Sequence, residues 1–210
     1  FAWMVDQPLT YQAYTDWAKG LRLLFLYRNG RYEDAGNTSF ATLLDKGLVD
    51  DGDWLQHLGG IFPEVRLKNF LELRSADGGC GEMVVALNAL WTGLLYDEQA
   101  LDDALSLCEG WESVSWERMA RAASEKALAA HTDFGTMLEL AAELLSIADA
   151  GLNRRSRATL TEKDERTHLA PLHALVHMGA SQAELLVKRF GNDVQAARCF
   201  ATADLWEFPW

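Results

Sequence analysis

Hydrophobic and polar positions follow two spacings in this chain. Over roughly the first 100 residues strand-like and helix-like patterns are mixed, and beyond them the pattern is almost wholly helical. Thr10 is placed to cap a helix over Tyr11 to Lys19, with Gly20 to stop it. Leu21 to Arg28, then Asn29-Gly30, then Arg31-Tyr32-Glu33 predict a hairpin, because Asn-Gly accepts the two left-handed residues of a tight turn. Short helices are predicted near Ser39 to Lys46 and Asp53 to Leu58. The stretch Glu64 to Arg74, taken as one strand, sorts by parity. Its odd positions (Val65, Leu67, Asn69, Leu71, Leu73) are nearly all apolar, and its even positions (Glu64, Arg66, Lys68, Phe70, Glu72, Arg74) carry mixed charge. Ser75 to Gly79 ends it with turn chemistry. From Gly81 onward helices are predicted over Glu82 to Leu95, Glu98 to Leu107, Ser115 to Ala130, Asp133 to Ala150, Ala170 to His177, Ser181 to Phe190 and Asp193 to Phe200. Gly110, Gly151, Gly179 and Gly191 fall at expected helix ends, and Asn153 to Arg166 reads as an exposed loop. The opening Phe1-Ala2-Trp3-Met4-Val5 reads as a strand already in progress, so the chain is expected to be cut upstream of its true start.

Composition narrows the classes. With 210 residues and 49 % apolar content the chain can bury a real core, and eight Trp and nine Phe exclude disorder. Acidic residues outnumber basic ones 31 to 19, a net charge of -12, which argues against a nucleic-acid partner. No apolar run approaches the ~20 residues that cross a bilayer, so no membrane association is expected. Three scattered cysteines, Cys80, Cys108 and Cys199, suit reduced thiols in a cytoplasmic protein rather than a disulfide framework or a zinc site.

Glu72 and Arg74, two apart on a strand, leave the same face about 7 Å apart. A carboxylate offers hard oxygen to Mg²⁺, and a guanidinium offers a fork to a carboxylate or phosphate. The alternative is a solvated strand face with ordinary cross-strand ion pairs. His173 and His177, one helical turn apart with His168 nearby, suit helix histidines better than a metal site, because spacing fixes no third ligand. Cys80 after two glycines suits a structural thiol, and Gly78 to Gly81 a turn. The cluster Asn153-Arg154-Arg155-Ser156-Arg157 is open to an anionic ligand or to a solvated loop that balances an acidic surface.

Ile61-Phe62-Pro63-Glu64-Val65-Arg66-Leu67-Lys68, continued through Phe70-Leu71-Glu72-Leu73-Arg74-Ser75-Ala76-Asp77-Gly78-Gly79, resembles a signature of glutamate–cysteine ligase of the plant and proteobacterial type. In that family the stretch reads close to FPEVRLK-x-YLEMRGADGG. Trp91 to Asp97 looks like the family's WVGLLYD, and Gly151 to Arg155 looks like its GLERR. Tyr14 to Ala18 and Phe25 to Tyr32 look like its YVDYAL and FAYRKNKY, and Pro171-Leu172 with Ala183-Glu184 fits its tail. The similarity covers essentially the whole chain but only the C-terminal half of the family protein.

The resemblance implies an α+β fold, part of a glutamine-synthetase-like antiparallel active-site sheet with a mostly helical C-terminal region. Residues 1–100 would belong to the catalytic sheet-and-helix domain, and residues 101–210 to a helical region packed on it, together one domain of a larger protein. It implies an enzyme that joins the γ-carboxylate of L-glutamate to the amino group of L-cysteine. ATP is split with Mg²⁺, the intermediate is γ-glutamyl phosphate, and the product opens glutathione synthesis. By position Glu72 becomes the Mg²⁺ ligand and Arg74 the catalytic guanidinium. Arg66 and Lys68 become phosphate contacts, and Tyr14 or Trp17 an aromatic near the cysteine pocket.

Departures temper this. Ser75 stands where the family has Gly, and Leu21-Arg22-Leu23 replaces a Val-Pro-Met run. Ala35 and Val85 occupy the positions of the plant enzymes' regulatory cysteines, so no disulfide switch is expected. The family's other metal ligands and its glutamate-binding Arg lie in the N-terminal half, so these 210 residues are expected to be inactive alone. The alternatives are a γ-glutamyl ligase for another amine and a non-catalytic binding module derived from the fold.

Overall fold

The computed structural model describes residue 6, residues 8–159 and residues 164–197. The opening apolar stretch, Cys199 and the end of the helix expected to reach Phe200 lie outside the described residues. The chain divides into two compact units between Ala76 and Asp77.

In the first unit, Thr10 accepts from the Ala13 amide and starts α1, Tyr11–Gly20, which buries Tyr14 and Ala18 one turn apart. Two short strands follow, β1 (Phe25–Arg28) and β2 (Arg31–Asp34), paired antiparallel. Asn29 and Gly30 between them both have positive φ, the tight turn that Asn-Gly predicts. Ser39 caps α2, Phe40–Asp45, and a reciprocal capping box of Asp50 and Asp53 opens α3, Asp51–Gly60. The core is built from Leu23, Phe40, Leu43 and Val49, with Trp54 joining it to Tyr14, Ala18 and Ile61. His57 is buried against Phe40, and its Nε2 donates to the Ala18 carbonyl at 2.7 Å, tying α3 to α1.

The unit closes with β3 (Val65–Leu67) and β4 (Leu71–Leu73). The expected single strand from Glu64 to Arg74 is therefore a hairpin that reverses at Lys68-Asn69-Phe70. Its register opposes Val65 to Leu73, Arg66 to Glu72 and Leu67 to Leu71. Every pair matches odd with odd or even with even, so reversal about Asn69 keeps the two faces that parity assigned. The distribution of burial differs from that expectation. Arg66, on the charged face, is buried, whereas Leu71, on the apolar face, is exposed.

In the second unit Cys80 precedes α4, Gly81–Leu95, and Asp97 caps α5, Glu98–Leu107. Helix α6, Ser113–Lys126, runs into a 3-10 turn at Ala127–Ala129. A small hairpin of β5 (His131–Thr132) and β6 (Gly135–Thr136) delays the next helix. That helix, α7, spans Met137–Thr159 rather than beginning at Asp133. A 3-10 stretch at Glu165–Leu169, α8 (Ala170–Met178) and α9 (Gln182–Phe190) complete the unit. Leu94, Ala100, Leu145, Ala148, Leu152 and Leu169 make its core.

Gly151 was expected to end a helix, yet α7 continues through it, and Asn153 to Thr159 are helical rather than an exposed loop. The reason is a close helix crossing. A Cβ on Gly151 would stand 2.1 Å from the Gly93 carbonyl oxygen, and one on Gly93 would stand 2.3 Å from that of Ala148. Glycine at both positions lets α4 and α7 pass nearly backbone to backbone. Gly110 and Gly179, by contrast, follow α5 and α8 with positive φ, the ordinary stop.

Helices with antiparallel strand pairs make the fold α+β. Among the described residues the strands form three separate two-stranded pairs. No helix among them is long and apolar enough to cross a membrane.

Candidate functional site

The β3–β4 hairpin gathers four charged side chains. Because Arg66 lies opposite Glu72, and Lys68 and Arg74 share their parity, all four side chains share one face. Arg66 Nε donates to Glu72 Oε2 at 2.7 Å, and Arg74 Nη1 donates to Oε1 at 3.1 Å. Lys68 Nζ stands 3.7 Å from Oε2. Glu72 thus faces three cations, and with Glu64, which shares the face opposite Arg74, the five side chains sum to +1 (three positive, two negative). The Arg66 hydrogen bond holds the Glu72 carboxyl below its ordinary range; burial opposes this, and the charges of Arg66, Lys68 and Arg74 reinforce it.

The three cations are not equivalent. Arg66 is 6 % exposed, and its Nη1 donates to the carbonyls of Gly59 (2.9 Å) and Ile61 (3.2 Å), which anchors it to the end of α3. Lys68 and Arg74 keep more of their side chains in solvent, at 41 % and 30 %. Sequence reasoning missed Phe62. Its ring lies 5.0 Å from the Arg74 guanidinium carbon and 5.5 Å from that of Arg66. The signal available was its place four residues before Arg66, in a segment where Ile61 and Pro63 on either side are buried.

Tyr14 and Trp17 belong to another side of the same hairpin. The buried Tyr14 hydroxyl accepts the Leu67 amide on the outer edge of β3 at 3.2 Å, and the Trp17 ring packs on Tyr14 at 5.4 Å. A cavity of about 560 Å³ opens where Leu9, Tyr11 and Tyr14 face Leu67 and Leu71. Lys68 and Phe70, at the hairpin tip, also line it. The structure therefore brings Glu72, Arg66, Lys68 and Arg74 together, and sets Tyr14 beside a cavity that Lys68 shares with the charged face.

The arrangement does not by itself suit Mg²⁺. Both Glu72 oxygens are engaged by arginines, the surroundings are cationic, and no group of three His, Cys, Asp or Glu among the described residues is placed to hold a metal ion. The array suits an anion instead.

The arginine cluster after Gly151 has a structural use. Arg154 embraces Asp97 through Nε (3.0 and 3.1 Å) and Nη2 (2.8 Å), while Asp97 caps α5 through the Ala100 amide. Arg155 pairs with Glu165 and lies over the Tyr96 ring. His173 faces Asp149 at 3.9 Å.

A model of glutamate–cysteine ligase family 2 (GCS2) matches residues 11–200. The chain is 33 % identical over 192 residues to glutamate–cysteine ligase A, chloroplastic, of Oryza sativa subsp. indica, covering 88 % of this chain and 38 % of that protein. It is 32 % identical over 195 residues to the chloroplastic glutamate–cysteine ligase of Brassica juncea, covering 90 % and 37 %. Against that of Arabidopsis thaliana it is 31 % identical over 195 residues, covering 90 % and 36 %. The chain thus spans little more than a third of the length of these curated relatives.

Proposed function

The chain belongs to glutamate–cysteine ligase family 2, and we propose that it forms one wall of a site joining the γ-carboxylate of L-glutamate to the amino group of L-cysteine. ATP drives that reaction through γ-glutamyl phosphate, at the entry to glutathione synthesis. The observation that carries this reading is the cluster of three cations around Glu72, set in the stretch that resembles the family signature. Phosphorylating a carboxylate brings two anions together, so fixed cations that face the developing charge lower the barrier. Arg74 and Lys68 have the exposure to meet a phosphoryl or carboxylate oxygen. Arg66 lies one bond behind them: it orients Glu72, and through Glu72 it orients Arg74. Tyr14, which lines the cavity at α1, and Trp17, packed on Tyr14, are the residues we assign to the amine substrate.

On this reading β3–β4 is one hairpin of a larger glutamine-synthetase-like sheet. Residues 1–100 serve the catalytic part and residues 101–210 the helical region. The chain covers 38 % of the rice relative, and we place the Mg²⁺ ligands and the remaining glutamate contacts in an N-terminal half that this chain does not span. For the compartment we propose the cytoplasm, on the free Cys80 and Cys108; the plant relatives named above are chloroplastic.

The test is ADP release by the native polypeptide that carries this sequence, with glutamate and cysteine omitted in turn. We expect release to require both, and the 210 residues alone to give none. A preference for another amine over cysteine would move the assignment to a different γ-glutamyl ligase. ADP release that ignores both substrates would overturn the reading.

A further inference from the structure

Phe62 is 67 % exposed, although Ile61 and Pro63 on either side of it are buried. An aromatic ring in that position contributes little to a core, so its neighbours decide what it does. Two guanidinium carbons face it, Arg74 at 5.0 Å and Arg66 at 5.5 Å. The segment that carries it is fixed from behind, because Arg66 Nη1 donates to the Ile61 carbonyl. Arg66 is immobilised by that bond, by the Gly59 carbonyl and by Glu72. Arg74 has less support: its one side-chain hydrogen bond among the described residues is Nη1 to Glu72 Oε1. A single bond to one nitrogen fixes a distance but leaves the guanidinium plane free to turn about it. A ring whose electron-rich face lies 5.0 Å from the guanidinium carbon restrains that turning, because the face attracts the cation.

We propose that Phe62 is a positioning residue, an aromatic shelf that sets the plane of Arg74 so that its remaining N–H groups meet an oxyanion. Two like charges sharing one ring would repel, and the Glu72 carboxylate bridging them offsets this. The inference deepens the reading above, since the anion role of Arg74 rests on it.

The experiment uses the full chain labelled with ¹⁵N, with the Arg74 Nε–H resonance assigned by Arg74→Lys. We expect that resonance to carry an upfield ring-current shift that is lost in Phe62→Leu and returns in Phe62→Tyr. An Arg74 signal that does not move in Phe62→Leu overturns the proposal. Circular dichroism of each variant checks that the fold is kept. Inorganic pyrophosphate binding by calorimetry then separates the two ideas. Wild-type binding that Arg74→Ala abolishes supports the anion role, and Phe62→Leu should weaken it about two- to fivefold, with rescue by Phe62→Tyr. Absence of wild-type binding overturns the anion role, and the ring-current result still decides the shelf. Binding that is unchanged in Phe62→Leu overturns the shelf alone.

Discussion

Among the carboxylates that arginine holds, Asp97 and Glu72 are held differently. Asp97, in the second unit, meets one guanidinium: Arg154 closes on it with three hydrogen bonds, and the Ala100 amide takes part of what is left. Charge is balanced, and the pair pins the start of α5 to α7. Glu72, in the first unit, meets two guanidinium groups and faces an ammonium, so a cationic surplus remains in a chain whose net charge is -12. A balanced pair of good geometry is what a helix junction needs. A surplus of one sign, kept in place against its own repulsion, is a cost that folding alone does not explain, and it points to an anion from outside.

The sharpest way to break this comparison is to remove one guanidinium from each side. If the proposed reaction is the one catalysed, Arg74→Ala in the native polypeptide lowers kcat/KM by about 10²–10³, the usual loss for a group that faces developing oxyanion charge. The urea midpoint should hardly move, because Arg66 still holds Glu72. Unchanged turnover would make the hairpin an ordinary ion-paired surface. Next in size is a change in the other unit with the opposite signature. Gly151→Ala places a methyl group 2.1 Å from the Gly93 carbonyl oxygen and 2.9 Å from Ala100 Cβ. Overpacking of this kind costs about 3 kcal/mol, and the better helix propensity of alanine returns only about 1 kcal/mol. A net loss of about 2 kcal/mol is expected from these two terms in chemical denaturation. A variant as stable as the parent would show that α4 and α7 can separate without penalty.

How much of this was legible in the residues follows from which signals are local. The Asn29-Gly30 turn and the Thr10 cap lie within a few residues of what they control, and they stand where spacing placed them. The charged face of Glu64 to Arg74 was legible even though the strand was not one strand, because reversal about Asn69 pairs like parities. Two things depended on distance in sequence. Gly151 has the same local signature as a helix stop, and only its meeting with Gly93 makes it a crossing point. Arg154 and Arg155 look like a solvated basic cluster until Asp97 and Glu165 are brought to them. Phe62 was hidden for the same reason: an exposed aromatic gains its meaning from Arg74, twelve positions on along the chain.

Asp97→Ala carries a smaller expected effect. It removes the α5 cap, worth about 1 kcal/mol, and leaves Arg154 unpartnered. That side chain is 40 % exposed, so solvent compensates most of the lost pairing and adds only a few tenths. A loss of about 1–2 kcal/mol, with kcat/KM unchanged, is the outcome expected of a structural pair. A fall in kcat/KM larger than the fall in stability would place Asp97 in the reaction and erase the contrast with Glu72.

The smallest effect concerns acid. Both carboxyls are held below their ordinary range, Glu72 chiefly by the Arg66 hydrogen bond and Asp97 chiefly by that of Arg154. A folded value below the unfolded one means that the unfolded chain binds the proton more readily. The stabilisation is therefore fully present above the ordinary carboxylate range, and it is lost as pH falls through the lowered folded value. Glu72→Gln removes that dependence at the hairpin while keeping the side chain's shape. The drop in urea midpoint between pH 7 and pH 3 should then be slightly smaller than in the parent, and Asp97→Asn should reduce it similarly. The two variants separate on salt. Raising ionic strength screens the unbalanced charge around Glu72, and it acts less on the charge-balanced Asp97–Arg154 fork. At high salt the Glu72→Gln difference should shrink while the Asp97→Asn difference persists. Equal salt sensitivity would mean that the two carboxylates are held alike, and that the surplus charge beside Glu72 has no electrostatic consequence for an incoming anion.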